Sequence, residues 1–159
     1  MQQLTEERDG AKLQVMLAEM THLLAVKRLA DQYKQELGFI NRAILQKAIE
    51  AQSLLVAPLT REPASDIAGF VHFYVRRDHI ITLYSIAVAP AHRGQGWGRQ
   101  LFAALINEAH TRQKSEIRLK CPAELTANDF YEHLGLQRLD CQAARLTTKA
   151  TADCRFVPV

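Results

Sequence analysis

Gly94, Gly96 and Gly98 place three of the chain's seven glycines within five positions of the segment HRGQGWG, residues 92–98, behind Arg93 and beside the only tryptophan, Trp97. From Gly98 to His110 the apolar residues Leu101, Phe102, Ala104, Leu105, Ile106 and Ala109 form a helical face, so the glycines lead into a helix. A helix start leaves its first N–H groups without partners and concentrates roughly half a positive charge there. An anion satisfies both. The glycines remove Cβ atoms and admit positive φ, which lets consecutive amides converge on a phosphate while its oxygens approach the backbone closely. Arg93 adds a planar guanidinium suited to phosphate oxygens. The plainer reading is a tight strand-to-helix turn, but one or two glycines suffice for that. The motif therefore points to phosphate binding.

The elements around the loop narrow the kind of phosphate site. A Walker loop needs Lys and then Ser or Thr after its last glycine, and here Arg99 and Gln100 follow Gly98. A dinucleotide fingerprint sets its third glycine one position later, in a unit that opens on a parallel strand. This chain leads up to its glycines differently. Residues 12–17, KLQVML, alternate with Leu13, Val15 and Leu17 on one face, which predicts a first strand. Thr21 reads as the N-cap of a helix with the stripe Leu23, Val26, Ala30, Tyr33 and Leu37, stopped by Gly38. A second short helix follows Asn41 with the stripe Ile44, Leu45, Ala48 and Ile49, leaving LGFIN, 37–41, as a bent connection. Then SLLVAPL, IAGFVHFYV and HIITLYSIAVAP read as three strands of an antiparallel meander. After the glycine-led helix, EIRLKC alternates again, and a right-handed crossover sets this strand at 116–121 parallel to the one at 80–89. A last short helix, ANDFYEHL, ends at Gly135, with one or two strands beyond it. The fold class expected is α+β (α/β) with a mixed central sheet, an antiparallel meander followed by a parallel βαβ unit, in one domain spanning 1–159.

Composition excludes several classes of function. With 159 residues, 48% hydrophobic and 23% charged, the chain reads as one globular domain rather than a disordered or collagen-like one. No apolar run approaches the roughly 18 residues that span a bilayer, and the N-terminus lacks the blocks of a secretory signal. A cytoplasmic protein is expected, with no membrane partner. Cys121, Cys141 and Cys154 are an odd number without CxxC spacing, and six scattered histidines have no ligand spacing, so neither a disulfide framework nor a metal site is expected. A net charge of +3 without a basic run argues against nucleic acid.

The segment IAVAPAHRGQGWGRQLFAALINEA, 86–109, resembles the acetyl-CoA-binding segment of the GNAT acetyltransferase superfamily, whose pattern Gln/Arg-x-x-Gly-x-Gly/Ala is matched by Arg93, Gly96 and Gly98. ANDFYEHLGL, 127–136, is similar to the superfamily's other signature, an Asn followed by a Phe-Tyr pair and a Leu-Gly stop. The order of elements is similar to that fold over nearly the whole chain. The resemblance implies a split between the two parallel strands and acetyl-CoA (coenzyme A) as cofactor. It puts the pantetheine arm on main-chain groups of Ile86, Ala87 and Val88. The pyrophosphate then sits on Gly94, Gln95, Gly96, Trp97 and Gly98, with Arg93, Arg99 and Asn128 as further contacts. It also implies an acceptor site near Phe39, Ile40, Tyr74 and Tyr84.

The chemistry so implied is N-acetyl transfer to a primary amine, by direct attack through a tetrahedral intermediate. Tyr131 matches the general acid: a phenol of pKa about 10 stays protonated at neutral pH and can supply a proton to the leaving sulfur. Many family members carry a glutamate base at about the position of Ser85, and serine is no general base unaided. His72, Tyr84 or His79 could take the amine's proton through water, since an imidazole of pKa near 6.5 suits that task. The acceptor, a small-molecule or peptide amine, is not identified by the sequence, and a homodimer is compatible with it. A non-catalytic acyl-CoA-binding or regulatory module of the same fold is the alternative class.

Overall fold

The computed structural model describes residues 14–62, 66–122, 136–143 and 150–156. The expected helix at 127–134, and with it Asn128 and Tyr131, lies outside them. The described elements run β1 (Met16–Leu17), a 3-10 turn (Met20–His22), α1 (Leu23–Gln32), α2 (Lys34–Leu37), α3 (Arg42–Glu50), β2 (Leu54–Pro58), β3 (Ile67–Val75) and β4 (Ile80–Val88). A second 3-10 turn (Pro90–His92) precedes α4 (Trp97–Thr111), which is followed by β5 (Glu116–Pro122), β6 (Leu136–Ala143) and β7 (Ala150–Phe156). Neighbouring strands follow the order β1-β2-β3-β4-β5-β7-β6. The chain forms two compact units, Met1–His72 with Ser85–Ala104, and Phe73–Tyr84 with Leu105–Val159.

In the first unit β1 and β3 both pair antiparallel with β2, in registers that set Met16 opposite Val56 and Leu55 opposite Val71. Its core joins Val26, Leu29 and Ala30 of α1 and Leu45, Ala48 and Ile49 of α3 to Leu54, Val56 and Phe70 of the strands. The Asn41 cap expected from sequence is present: its Oδ1 accepts the Ile44 amide at 2.9 Å. Three local expectations are corrected. Thr21 is not an N-cap; the 3-10 turn starts from Glu19, whose amide donates to His22 Nδ1 at 3.0 Å. The helix expected from Leu23 to Leu37 is broken at Tyr33, which has φ −112° and ψ 28°. Ile44, placed on the buried stripe of α3, is 42% exposed, because the buried face of that helix is made by Leu45, Ala48 and Ile49 and Ile44 falls at its edge.

Gly69 of β3 marks a close approach of backbone to backbone. A Cβ there would lie 2.5 Å from the Ala87 carbonyl oxygen and 2.8 Å from Leu101 Cδ1. The Ala89 amide donates to the Ala68 carbonyl at 2.7 Å, which holds the end of β4 against β3 at this point. Gly69→Ala should therefore displace the end of β4 and lower stability by about 1–3 kcal/mol, the usual cost of overpacking. A urea denaturation midpoint equal to that of the parent would show that β4 yields without strain.

In the second unit β4 runs parallel to β5 with Ile80 opposite Glu116 and Leu83 opposite Leu119. That ladder covers four positions, although β4 continues to Val88 and β5 to Pro122. β7 pairs antiparallel with both β5 and β6, supplying the further strands expected after residue 135. The turn between β3 and β4 is tied down by Lys114, whose Nζ donates to the Arg76 carbonyl at 2.6 Å. Glu116 is buried, and its carboxylate takes His79 Nε2 at 3.1 Å and Arg118 Nε at 2.8 Å. His79 thus has the buried Glu116 carboxylate as its hydrogen-bond partner.

Candidate functional site

The glycine loop begins where β4 ends. The 3-10 turn at Pro90–His92 delivers Arg93 in an extended conformation, with φ −69° and ψ 151°. Gly94 at φ +75° and Gly96 at φ +85° then take conformations that disfavour side chains. A Cβ at either position would meet nothing within 4 Å, so both glycines border open space. The Gly96 carbonyl accepts the Gln100 amide at 3.1 Å, which makes Gly96 the N-cap and starts α4 at Trp97, one residue before the expected Gly98. The amides of Trp97, Gly98 and Arg99 therefore precede the first intrahelical bond. The first turn holds no acidic side chain to neutralise them. It carries Arg99 instead, the charge a helix start disfavours unless an anion sits there. Gln95 and Arg99 are exposed, Trp97 is half-buried and Gly98 is buried. This arrangement fits the phosphate end of a nucleotide-like ligand: donors, positive charge and room for it coincide.

Arg93 does not project freely. Its Nη2 donates to the Tyr33 hydroxyl, and its Cζ stands 5.2 Å from the Tyr33 ring centroid. Tyr33 in turn donates to the Val88 carbonyl at 2.7 Å. In the sequence Tyr33 is only one residue of a helical stripe. Its two partners are 55 and 60 residues away, so no local pattern reports them.

Of the other predicted residues, Ile86 and Val88 are half-buried and Ala87 is buried, all on the second half of β4. Ser85 is 4% exposed, and its Oγ has no hydrogen-bond partner among the described residues. Burial pushes the His72 imidazole below its usual range near 6.5, so it is neutral at pH 7. Phe70, His72 and Tyr74 share a face of β3 as expected, but they grade from buried through half-buried to 54% exposed. In the bent connection Phe39 is 68% exposed, with Lys27 Nζ 4.7 Å and Lys34 Nζ 5.8 Å from its ring centroid. Ile40 beside it is packed in the core rather than presented to solvent. In the second unit Tyr74 and Tyr84 come together, ring centroids 6.3 Å apart and both exposed. No three His, Cys, Asp or Glu side chains among the described residues could hold a metal ion. No helix among them is long and apolar enough to cross a membrane.

No curated protein matches the sequence. Solved structures do share the fold. Rv2747 from Mycobacterium tuberculosis, in complex with CoA, aligns at a TM-score of 0.74 and 17% identity over 91% of this chain and 99% of its own. Ribosomal-protein-alanine N-acetyltransferase from Brucella melitensis aligns at 0.72 and 20% identity, covering 92% and 100% of the two chains. The ribosomal-protein-S18-alanine N-acetyltransferase from Escherichia coli gives 0.69 and 22%, covering 91% and 92%. The sequence profile described as the acetyltransferase (GNAT) family matches residues 21–136, which takes in α1, the strands around Gly69, the glycine loop and the segment of Asn128 and Tyr131. The chain belongs to the GNAT acetyltransferase family.

Proposed function

We propose that this protein is an acetyl-CoA-dependent N-acetyltransferase acting on a primary amine in the cytoplasm, as a monomer or a homodimer. One observation carries the reading: a member of this family keeps its glycine loop open at a helix start, with Gly94 and Gly96 at positive φ and no acidic side chain in the first turn of α4. Bound acetyl-CoA supplies an acetyl group activated as a thioester, which a neutral amine can attack directly. The amides of Gly94 to Gly98 hold its phosphates, and Arg93 and Arg99 supply positive charge to them. Main-chain groups of Ile86, Ala87 and Val88 hold the pantetheine arm, and Asn128 adds a contact.

Tyr131 is assigned as general acid, because a phenol with its ordinary pKa near 10 keeps a proton to give at neutral pH. His72 is assigned to accept the amine's proton, since its half-buried imidazole is neutral at pH 7 and has a lone pair to take one. Ser85 contributes differently. Its buried hydroxyl has no hydrogen-bond partner among the described residues, a state that costs about 1–3 kcal/mol, which supports assigning it a polar group of the bound reactants as partner. Phe39 and Ile40 shape the acceptor loop, and Tyr74 and Tyr84 are proposed acceptor contacts on their own unit.

The test is a time course of thiol release from acetyl-CoA over a panel of amines, peptide N-termini included, beside thermal melting with CoA. Amine-dependent release supports the enzyme. A raised melting temperature with no amine accelerating release supports the acyl-CoA-binding module instead, the class favoured by Ser85 standing where family members often carry a glutamate.

A further inference from the structure

One phenol joins three separate pieces of the chain at the head of the glycine loop. Tyr33 stands at the break between α1 and α2, held there by its own backbone: its amide donates to Ala30 at 3.1 Å and its carbonyl accepts the Leu37 amide at 2.8 Å. Its side chain is half-buried and so has little freedom of its own. A phenol has one proton and two lone pairs. The proton goes to the Val88 carbonyl, the last residue of β4, which leaves the oxygen to accept from Arg93. The Val88–Ala89 peptide is then held on both sides, its carbonyl by Tyr33 and its N–H by Ala68.

Arg93 is fixed twice over, by the hydrogen bond from Nη2 and by its guanidinium lying over the ring. An exposed arginine otherwise samples many rotamers, and that freedom is lost when a ligand must order it. With one of five N–H donors spent on Tyr33, the rest of the guanidinium remains for a ligand beside Gly94. We infer that Tyr33 is a positioning residue that presets Arg93 and the end of β4 for the diphosphate of the acyl-CoA. The inference rests on the reading of the glycine loop as a phosphate site, and it adds a residue from the N-terminal helices to that site.

The test compares two acetyl donors: acetyl-CoA and S-acetylpantetheine, which lacks the diphosphate and nucleotide. Tyr33→Phe keeps the ring and removes the oxygen. It should raise KM for acetyl-CoA about 3- to 10-fold, the worth of one hydrogen bond, with kcat at saturation little changed and KM for acetylpantetheine unmoved. In an Arg93→Ala background the same substitution should add less than about twofold, because the residue it acts through is gone. Arg93→Lys, which keeps the charge and loses the planar fork, should show the same preference for raising the KM of acetyl-CoA. If wild-type protein discriminates between the donors and Tyr33→Phe leaves that discrimination whole, or raises both KM values alike, Tyr33 is not the positioning residue. If the wild-type protein does not discriminate between them, the phosphate reading of the loop fails, and this inference with it.

Discussion

Tyr131→Phe is expected to lower kcat by roughly 10²- to 10⁴-fold, the usual span for loss of a general acid, with KM for acetyl-CoA nearly unchanged. The departing sulfur must gain a proton. Removing only the hydroxyl keeps the aromatic volume on the ANDFYEHL segment, so a fall in kcat isolates proton supply from packing. The pH profile gives a second readout. A phenol donor is lost as pH rises through its pKa, so the parent's alkaline limb should be absent from the variant's residual activity. An unchanged kcat would remove Tyr131 from the reaction and leave the leaving sulfur to water.

Gly96→Asp should raise the Kd for CoA by roughly 10²- to 10³-fold. Two like charges about 4 Å apart repel by about 4 kcal/mol near a protein surface, and the new carboxylate would stand in the open space beside the first amides of α4. At φ +85° any side chain is also strained, by about 1–2 kcal/mol. Gly96→Ala separates the two effects, because it carries the strain without the charge. For the unliganded protein only the strain acts, so its melting temperature should fall by about 2–8 °C. Isothermal titration with CoA checks the prediction. Affinity within about threefold of the parent would move the phosphates off this loop.

Most of the readable signals were local, with the deciding partner within a few residues. Asn41 caps α3 by reaching three positions along the chain, and Gly94 and Gly96 adopt the positive φ their residue type allows. The change of period after Gly98 located α4 to within one residue. Thr21 looked like a cap, but a nearby competitor decides the start: the Glu19 amide donates to the buried His22 Nδ1, and the 3-10 turn runs from Glu19. Other expectations failed where the deciding partner is distant. The stripe through Tyr33 looked continuous, since helical spacing cannot report a hydroxyl held by Val88. Ile40 and Phe39 are both apolar neighbours, and only packing decides that one enters the core while the other faces outward.

By itself the sequence determined the family, through Arg93, Gly96 and Gly98 and the later Asn128 and Tyr131, and with it the order of the described strands and helices. These follow from spacing and residue type, which act over a turn of helix or a few residues of strand. Tertiary structure alone decided that β4 is pressed onto Gly69, that Arg93 is held over Tyr33 and that the Ser85 hydroxyl is buried without a hydrogen-bond partner among the described residues. Each depends on atoms brought together from distant stretches of chain, where burial and hydrogen-bond geometry act and periodicity carries no information.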